Sequence, residues 1–265
     1  SLVDVSYTFC SAYFNIYNFQ SQSVSIYFIE QMCYNICDLS FEKGGEAMSY
    51  KIADFEINGA VFDLDGTLLD STDVWRDVDI KFFKNRGREV PADYFERIKS
   101  MNFPTAAVFT KNEYNIKESI DEIISEWFSY AYDAYANEIE LKDGAFEFLH
   151  RLKDAGVKLA VATASDERLY TAVLKRHNIY DLFDVFCTTE QVKRGKGFPD
   201  IYLLASDSLG LKSSECMVFE DIAQGIKGAT DGGFKTCAVY DKHSHEFFTS
   251  KEPKADLFIE DFKNI

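Results

Sequence analysis

The segment Ile57-Asn58-Gly59-Ala60-Val61-Phe62-Asp63-Leu64-Asp65-Gly66-Thr67 combines a run of apolar residues with two closely spaced carboxylates. The apolar run Ile57–Phe62, bounded by a turn signal, predicts a buried strand that ends at Asp65-Gly66. Asp63 and Asp65 are thereby placed at the carboxyl end of a strand, where open α/β sheets bind their ligands. Two neighbouring anions are costly there unless a cation neutralises them. The segment therefore predicts a site that holds a divalent metal, a lysine or both.

The composition of the chain narrows the classes of protein to consider. Its 265 residues are enough for one large domain or two smaller ones, and a hydrophobic content of 46% supports a packed core. The net charge of −16 argues against nonspecific binding to nucleic acid or to an anionic membrane. No apolar run approaches the roughly 18 residues of a membrane span, and the start lacks the basic region of a secretory signal. We therefore expect a cytoplasmic protein.

The six cysteines form no CxxC pair and no regular framework. Three of them, Cys187, Cys216 and Cys237, lie in apolar runs typical of strands. We therefore expect reduced, buried thiols that contribute to packing.

Residues 1–47 differ in composition from everything that follows. They are rich in Phe, Tyr, Ser, Asn and Gln, contain one basic residue, Lys43, and show no sustained helical or strand period. The peptide Lys43-Gly44-Gly45-Glu46 is what a purine-rich ribosome-binding site would encode if it were read in frame. We predict that translation starts at Met48 and that residues 1–47 are an atypical, non-native extension. The alternative is a genuine extension that packs on the core or on a partner, and N-terminal sequencing of the native protein distinguishes the two.

The chain after Met48 shows a strand, a helical block, and then alternating helices and strands. The block from Val74 to about Tyr135 predicts helices broken near Gly87, Pro91 and Pro104. Further strands are predicted at Val157–Thr163, Asp184–Cys187, Cys216–Phe219, Lys235–Tyr240 and, as an edge, Leu257–Ile259. The helices between them are predicted at Phe146–Ala155, Glu167–His177, Pro199–Leu209 and Ala223–Thr230.

Continuous apolar strands that alternate with helices predict a parallel sheet covered on both faces. The predicted fold class is α/β, a Rossmann-like doubly wound parallel sheet with an inserted α-helical cap. Residues 48–70 and 142–265 would form the sheet domain, and residues 71–141 the cap over the strand ends.

Polar residues recur at the carboxyl ends of the later strands. Thr163 ends the second strand and Ala164 follows it, Lys196 follows the third, and Glu220 and Asp221 end the fourth. Because the carboxyl ends of parallel strands meet at one edge, we expect these residues to converge on Asp63 and Asp65. A carboxylate nucleophile, a second acid, a lysine, a hydroxyl and carboxylate ligands for Mg²⁺ suit phosphoryl transfer.

Each of these residues also has an ordinary explanation when taken singly. Asp-Gly is common in turns, a threonine often ends a strand, and a lone lysine is usually solvated. Glu220 and Asp221 could simply begin a helix, where acids are favoured. Their order and shared edge, rather than any one residue, favour a functional site.

With these motifs in hand, the chain resembles the haloacid dehalogenase superfamily between about Ile57 and Asp261. It is most similar to the subgroup of β-phosphoglucomutase and small sugar-phosphate phosphatases. The matching motifs are Asp63-Leu64-Asp65-Gly66-Thr67, Val161-Ala162-Thr163-Ala164-Ser165, Gly195-Lys196-Gly197-Phe198-Pro199-Asp200 and Phe219-Glu220-Asp221 with Gly225. In the third motif Gly197 stands where family members usually carry proline.

The resemblance implies roles for the matching residues. Asp63 would be the nucleophile and a Mg²⁺ ligand, and Asp65 the general acid/base with its backbone carbonyl on the metal. Thr163, Ala164 and Lys196 would hold the phosphoryl group. Asp221, aided by Glu220, would complete the metal site.

The cap lacks a recognisable substrate signature. Family sugar-phosphate enzymes often carry a glycine and an arginine between cap helices, where this chain reads Ser100-Met101-Asn102-Phe103-Pro104-Thr105. Phe103 is equally suited to packing and to substrate contact. Four cations, Arg76, Lys81, Arg86 and Arg88, are more typical of a solvated helix face than of an anion site. His243 and His245 form no metal or catalytic set.

The predicted function is a Mg²⁺-dependent phosphatase that hydrolyses a small phosphomonoester, such as a sugar phosphate, through an aspartyl-phosphate. One alternative is a β-phosphoglucomutase-like phosphomutase, and another is a non-catalytic binding or regulatory protein on the same fold. We expect a small phosphorylated metabolite as partner, no nucleic acid or membrane, and a monomer or weak homo-oligomer.

Overall fold

The computed structural model describes residues 50–98, 101 and 103–265, so the predictions for residues 1–47 and for Met48, Ser100 and Asn102 lie outside the described residues. The strands are β1 Tyr50–Ile52, β2 Phe55–Ile57, β3 Gly59–Phe62, β4 Lys158–Thr163, β5 Val185–Thr188, β6 Cys216–Glu220, β7 Lys235–Val239 and β8 Leu257–Ile259. The helices are α1 Val74–Asn85, α2 Tyr94–Ile98, α3 Phe103–Glu113, α4 Ile120–Asn137, α5 Ala145–Asp154, α6 Glu167–Arg176, α7 Asp200–Leu209, α8 Ala223–Asp231 and α9 His245–Ser250.

Six strands form one parallel sheet in the order β5-β4-β3-β6-β7-β8, and β1 and β2 form a separate antiparallel hairpin. From β3 the chain runs outward through β4 to β5, and it then returns to the other side of β3 as β6. The sheet therefore reverses its direction of winding between β3 and β6, and the crevice at such a switch point is where doubly wound folds bind ligands. The predicted α/β Rossmann-like parallel sheet is confirmed.

The first sheet strand begins later than the sequence predicts. Ile57 pairs with Tyr50 in the hairpin, whereas β3 begins at Gly59. The chain changes partner at Asn58, whose backbone N–H donates to the carbonyl of Glu215 at 2.9 Å. A Cβ at Gly59 would lie 2.6 Å from a methyl group of Leu211, so a larger residue at the crossing would have to displace that side chain. An apolar run alone does not show which strand partner each residue takes.

Both faces of the sheet are buried, which explains the continuous apolar strands. On one face Phe62 of β3 and Phe219 of β6 stack with their ring centroids 4.5 Å apart, and Phe148 and Phe262 complete the cluster. On the other face Val61 and Val218 pack in the cluster that α7 helps to form. This packing holds β3 and β6 side by side and so sets the distance between the side chains at their carboxyl ends.

Helices α1 to α4 lie between β3 and α5 in the chain, where the sequence predicts a cap. The longest of the described helices, α4, has Ser119 as its N-cap residue, which forms a capping box with Glu122. It buries Ile123 and Trp127, which their spacing of four residues places on one face of the helix. The break predicted near Pro104 is confirmed, since α2 ends at Ile98 and α3 begins at Phe103. Pro104 lies in the first turn of α3, where its missing N–H costs nothing. The predicted boundaries at residues 71 and 141 stay predictions.

Three cysteines lie in the described part of the chain. Cys187, Cys216 and Cys237 are free and buried in strands, as predicted. Burial raises the pKa of all three thiols, which suits a packing role rather than a nucleophilic one. None of the described helices is long and apolar enough to cross a membrane.

Candidate active site

Three buried carboxylates meet at the switch point of the sheet. Asp63 directly follows β3, and its backbone N–H donates to the carbonyl of Phe219 on β6 at 3.0 Å. Glu220 ends β6 and Asp221 follows it. One oxygen from each of these acids can be chosen so that all three lie within 4.8 Å of one another. Residues 157 positions apart or more are thus brought together by the parallel pairing of two strands.

Lys196 supplies a positive charge inside this cluster. Its Nζ forms ion pairs with Asp63 Oδ1 and, at 2.7 Å, with Glu220 Oε1, and its side chain is only 10% exposed. Burial by itself would lower the pKa of the Lys196 ammonium, but the charges of Asp63 and Glu220 outweigh it and raise that pKa. Lys196 is therefore a permanent cation held against the predicted nucleophile.

The loop that carries Lys196 depends on a glycine in the neighbouring helix α8. A Cβ at Gly228 would lie 2.1 Å from the carbonyl oxygen of Lys196 and 2.8 Å from that of Phe198. No side chain fits at that distance, so the close approach of α8 to the loop requires glycine. Gly225 has the same role beside the acids, since a Cβ there would lie 2.4 Å from the carboxyl carbon of Glu220.

The donor set of the cluster fits a hard divalent cation. Burial is the main cause that raises the pKa of both Glu220 and Asp221, and the charge of Asp63 raises both further. Glu220 Oε2 is buried without a hydrogen-bond partner among the described residues. Three acids against one lysine leave a negative charge that a divalent ion would neutralise, and carboxylate oxygens are ligands that Mg²⁺ accepts.

Asp65 lies apart from the carboxylate cluster. Its Oδ1 accepts hydrogen bonds from Ser71 Oγ at 2.6 Å and from the hydroxyl of Tyr135 in α4. Burial raises the pKa of Asp65, and these two hydrogen bonds partly offset the rise. Of the four predicted metal ligands, the structure groups the side chains of Asp63, Glu220 and Asp221. For Asp65 the predicted ligand is the backbone carbonyl, and that contact stays a prediction.

Thr163 and Ala164 lie at the same edge of the sheet. Thr163 ends β4, the strand beside β3, and its buried Oγ1 accepts a hydrogen bond from the backbone N–H of Ser165 at 3.0 Å. Within the described residues no hydrogen bond joins Thr163 to the acids. Ala164 and Ser165 line the adjoining cavity. All the predicted site residues thus lie at the carboxyl ends of strands or in the loops that follow them.

A cavity of about 490 Å³ opens between this edge of the sheet and the helices of the cap. Asp65, Ala164, Ser165, Asp166 and Glu190 line it on the sheet side. The cap lines it with Trp75, Val78, Asp79, Ile98, Met101, Phe103, Ala106, Trp127 and Phe128. A small molecule in this cavity would contact both Asp65 and the cap.

The four cap cations do not face this cavity. Arg86 is not on a solvated face, because it is 14% exposed and forms ion pairs with Glu118 and Glu126 at 2.7 and 2.6 Å. Arg76 and Lys81 stack on aromatic rings. Arg88 donates to a backbone carbonyl. Arg86 is therefore a structural link between helices, a role that only the tertiary contacts show.

Several residues of the site have no role assigned from the sequence. The Thr67 hydroxyl lies 3.2 Å from Asp63 Oδ2 and 3.4 Å from Asp221 Oδ1. Its place in the first motif is a sequence feature that could have identified it as a site residue. Tyr202 donates to Glu220 Oε1 at 2.8 Å from α7, and Tyr135 reaches Asp65 from the cap. Neither tyrosine has a sequence signal, because each contact spans separate elements.

A family comparison agrees with this geometry, since the model of the haloacid dehalogenase-like hydrolases matches residues 60–239. The chain belongs to the haloacid dehalogenase-like hydrolase family. The match spans β3 to β7 and so includes all the motif residues of the site as well as the cap.

Two relatives and one solved structure show what this haloacid dehalogenase-like hydrolase is similar to. Hexitol phosphatase A of Escherichia coli is 30% identical over 221 residues, which cover 76% of this chain and 98% of the relative. Validoxylamine A 7'-phosphate phosphatase of Streptomyces hygroscopicus is 29% identical over 78% of this chain and 94% of the relative. CbbY of Rhodobacter sphaeroides in complex with phosphate superposes with a TM-score of 0.65 at 23% identity, covering 78% of this chain and 96% of that one.

The structural likeness shows the shared fold, and the relatives show the class of enzyme. Both relatives are named as phosphatases, so the prediction of a phosphoric monoester hydrolase in this family is confirmed. The resemblance to the family, first suggested by four short motifs, is likewise confirmed.

Proposed function

We propose that this protein is a Mg²⁺-dependent phosphatase that hydrolyses a small phosphomonoester through an aspartyl-phosphate on Asp63. The observation that carries the proposal is the contact of Lys196 with Asp63 beside two further buried acids, next to a cavity lined by Asp65. A nucleophile and a charge-neutralising cation thus stand beside a cavity whose wall carries a proton donor.

In the first step, a carboxylate oxygen of Asp63 attacks phosphorus while the bond to the leaving oxygen breaks. Asp65 gives its proton to the leaving oxygen, so the alcohol departs neutral. Lys196 offsets the negative charge of the attacking and transferring groups. Asp63, Asp221 and Glu220 would hold Mg²⁺, which when bound draws charge from the phosphate oxygens.

In the second step, Asp65 takes a proton from water, and the water oxygen attacks the phosphorus of the aspartyl-phosphate. The bond to Asp63 breaks, and inorganic phosphate and the free carboxylate are formed. Thr163 and backbone N–H groups at the strand ends would bind phosphate oxygens throughout. The helices of residues 71–141 would act as a cap that closes to exclude water from the first step.

The structure favours hydrolysis over the phosphomutase alternative. A mutase must hold a bisphosphate at both ends, yet no lysine or arginine is among the described residues that line the cavity. A second phosphate would instead meet Asp79, Asp166 and Glu190. The non-catalytic alternative predicts tight binding of a phosphorylated ligand without turnover. Cytoplasmic location and a monomeric or weakly associated state stay predictions.

Phosphate release from an aryl phosphate tests the proposal. We expect turnover that needs Mg²⁺, stops on addition of EDTA and is lost in Asp63→Asn. Asp70→Asn is the matched control, because Asp70 lies in the same segment but is exposed, and it should remain active. Acid-quenched protein should carry one phosphoryl group on Asp63 by mass spectrometry. Failure to release phosphate from a broad panel of phosphomonoesters, or full activity in Asp63→Asn, would overturn the proposal.

A further inference from the structure

Asp79 is a buried carboxylate in the cap that the proposed mechanism does not use. It lies in α1, is 6% exposed and lines the cavity. Its Oδ1 accepts a hydrogen bond from the hydroxyl of Tyr94 at 3.0 Å, and that hydroxyl lies 2.9 Å from Thr110 Oγ1. Its other oxygen, Oδ2, has no hydrogen-bond partner among the described residues. Tyr94 therefore holds the carboxylate in place at the wall of the cavity.

No cation of the described chain compensates Asp79. Burial raises its pKa to about 7, which the hydrogen bond from Tyr94 only partly offsets. A buried carboxylate without a counter-ion is costly, and a ligand that carries positive charge would remove that cost.

Aromatic rings stand beside Asp79 on the cavity wall. Trp75 and Phe103 meet edge to face with centroids 5.2 Å apart, and Phe103 and Trp127 lie 5.4 Å apart. All three line the cavity. Aromatic faces attract ammonium groups, and aromatic cages are a known way to bind them. The wall is thus suited to a group that is both apolar on its surface and positively charged.

The remaining charges of the cavity have the same sign. Asp166 and Glu190 line it on the sheet side, and the described lining residues include no lysine, arginine or histidine. Arg168, which stands nearby, is already paired with Asp166 at 2.8 Å and stacked on Phe128. With Asp166 paired, Asp79 and Glu190 are acids on the described lining that no ion pair with a described residue neutralises, and their charges favour a cation in the cavity.

We propose that the substrate is a phosphomonoester whose leaving alcohol carries a protonated amine or a quaternary ammonium, bound between Asp79 and the rings of Trp75, Phe103 and Trp127. This inference rests on the proposed phosphatase function and names its substrate class. The phosphate end would lie at Asp63 and Lys196, and the cationic end would lie in the cap.

The first test compares substrates that differ by one positive charge. Phosphocholine is paired with 3,3-dimethylbutyl phosphate, in which carbon replaces the quaternary nitrogen, and phosphoethanolamine is paired with propyl phosphate. We expect kcat/KM to be at least about tenfold higher for the charged member of one pair or both. A smaller ratio in both pairs overturns the proposal.

The second test removes the charge of Asp79 and keeps its shape. In Asp79→Asn the ratio of charged to neutral kcat/KM should fall at least about tenfold. Asp77→Asn is the matched control, because it makes the same change at an exposed position of the same helix and should keep the ratio. An unchanged ratio in Asp79→Asn refutes the role of Asp79.

A binding measurement separates this inference from the proposed function. The chain has two tryptophans, Trp75 and Trp127, and both line the cavity, so their fluorescence reports its occupancy without turnover. Phosphocholine should bind Asp63→Asn more tightly than 3,3-dimethylbutyl phosphate does, and equal binding overturns the inference. Hydrolysis of an aryl phosphate without any preference for charged substrates would refute the substrate class alone. Absence of all hydrolysis would refute the phosphatase, while the titration would still decide whether the cavity binds cations.

Discussion

Replacing Lys196 by methionine should destabilise the metal-free protein strongly, because it leaves the buried acids without their cation. At 2.7 Å and an effective dielectric near 20, one pair such as Lys196 with Glu220 contributes about 6 kcal/mol of attraction before desolvation is subtracted. Removing one partner of a buried pair typically costs about 3–5 kcal/mol. We therefore expect the free energy of unfolding of Lys196→Met to fall by about 3–5 kcal/mol in EDTA, and the Tm by about 6–20 °C.

The loss of stability caused by Lys196→Met should depend on pH. The charge of Lys196 lowers the pKa of Glu220 and of Asp221, so its loss raises both pKa values further above their unfolded values. An acid whose pKa is raised by folding stabilises the fold below its unfolded pKa and loses that contribution as the pH rises through its folded pKa. The free energy of unfolding of the variant should therefore be close to that of the wild type at about pH 5 and lower than it towards about pH 8.

Urea unfolding of both proteins in EDTA and in Mg²⁺ measures these effects. Mg²⁺ should raise the stability of Lys196→Met more than that of the wild type, because it replaces the missing charge. Lys193→Met is the matched control, since Lys193 is exposed in the same loop and should change stability by less than about 0.5 kcal/mol. A Lys196→Met protein as stable as this control at high pH in EDTA would refute the electrostatic account of the site.

Two further substitutions test contacts that position catalytic groups. Gly228→Ala should reduce kcat at least about tenfold, because the added Cβ must displace the carbonyl oxygen of Lys196. Gly195→Ala is the control and should stay active, since a Cβ there meets nothing within 4 Å. Phosphate release measures both, and an equal loss of activity in the two variants would contradict this reason. Tyr135→Phe removes a hydrogen bond that stabilises the Asp65 carboxylate, so the pKa of Asp65 should rise. The alkaline limb of the profile of kcat/KM against pH should therefore move to higher pH by about 0.5–1 unit. An unshifted profile would show that this hydrogen bond is absent in the working enzyme.

How far the sequence predicts the structure depends on whether a feature is local. The strands that carry Thr163 and Glu220 are correctly located because their apolar runs and the flanking glycines act within a few residues. The start of β3 is misplaced by two residues, since the change of partner at Asn58 depends on Glu215, far along the chain. Arg86 was expected on a solvated face because sequence spacing does not show that α4 packs against it.

The chemistry of the site follows from short motifs, whereas the choice of substrate follows from packing. Asp63, Asp65, Lys196 and Asp221 each stand directly after a strand or in the loop beyond it, and a parallel sheet brings all such positions to one edge. That rule holds for any sequence with this alternation of strands and helices, so the amino-acid order was sufficient to group them.

No comparable rule predicts from the sequence which residues line the cavity next to these residues. Asp79 occupies a helical position between apolar neighbours, and only the packing of α1 against Tyr94 and the aromatic rings shows that it faces the ligand space. Its burial, its hydrogen bond from Tyr94 and the lack of a counter-ion among the described residues are properties of several helices together. The linear chain therefore determined which residues meet at the edge of the sheet, while the contacts between cap helices decided the shape and charge of the cavity, because these properties exist only after folding.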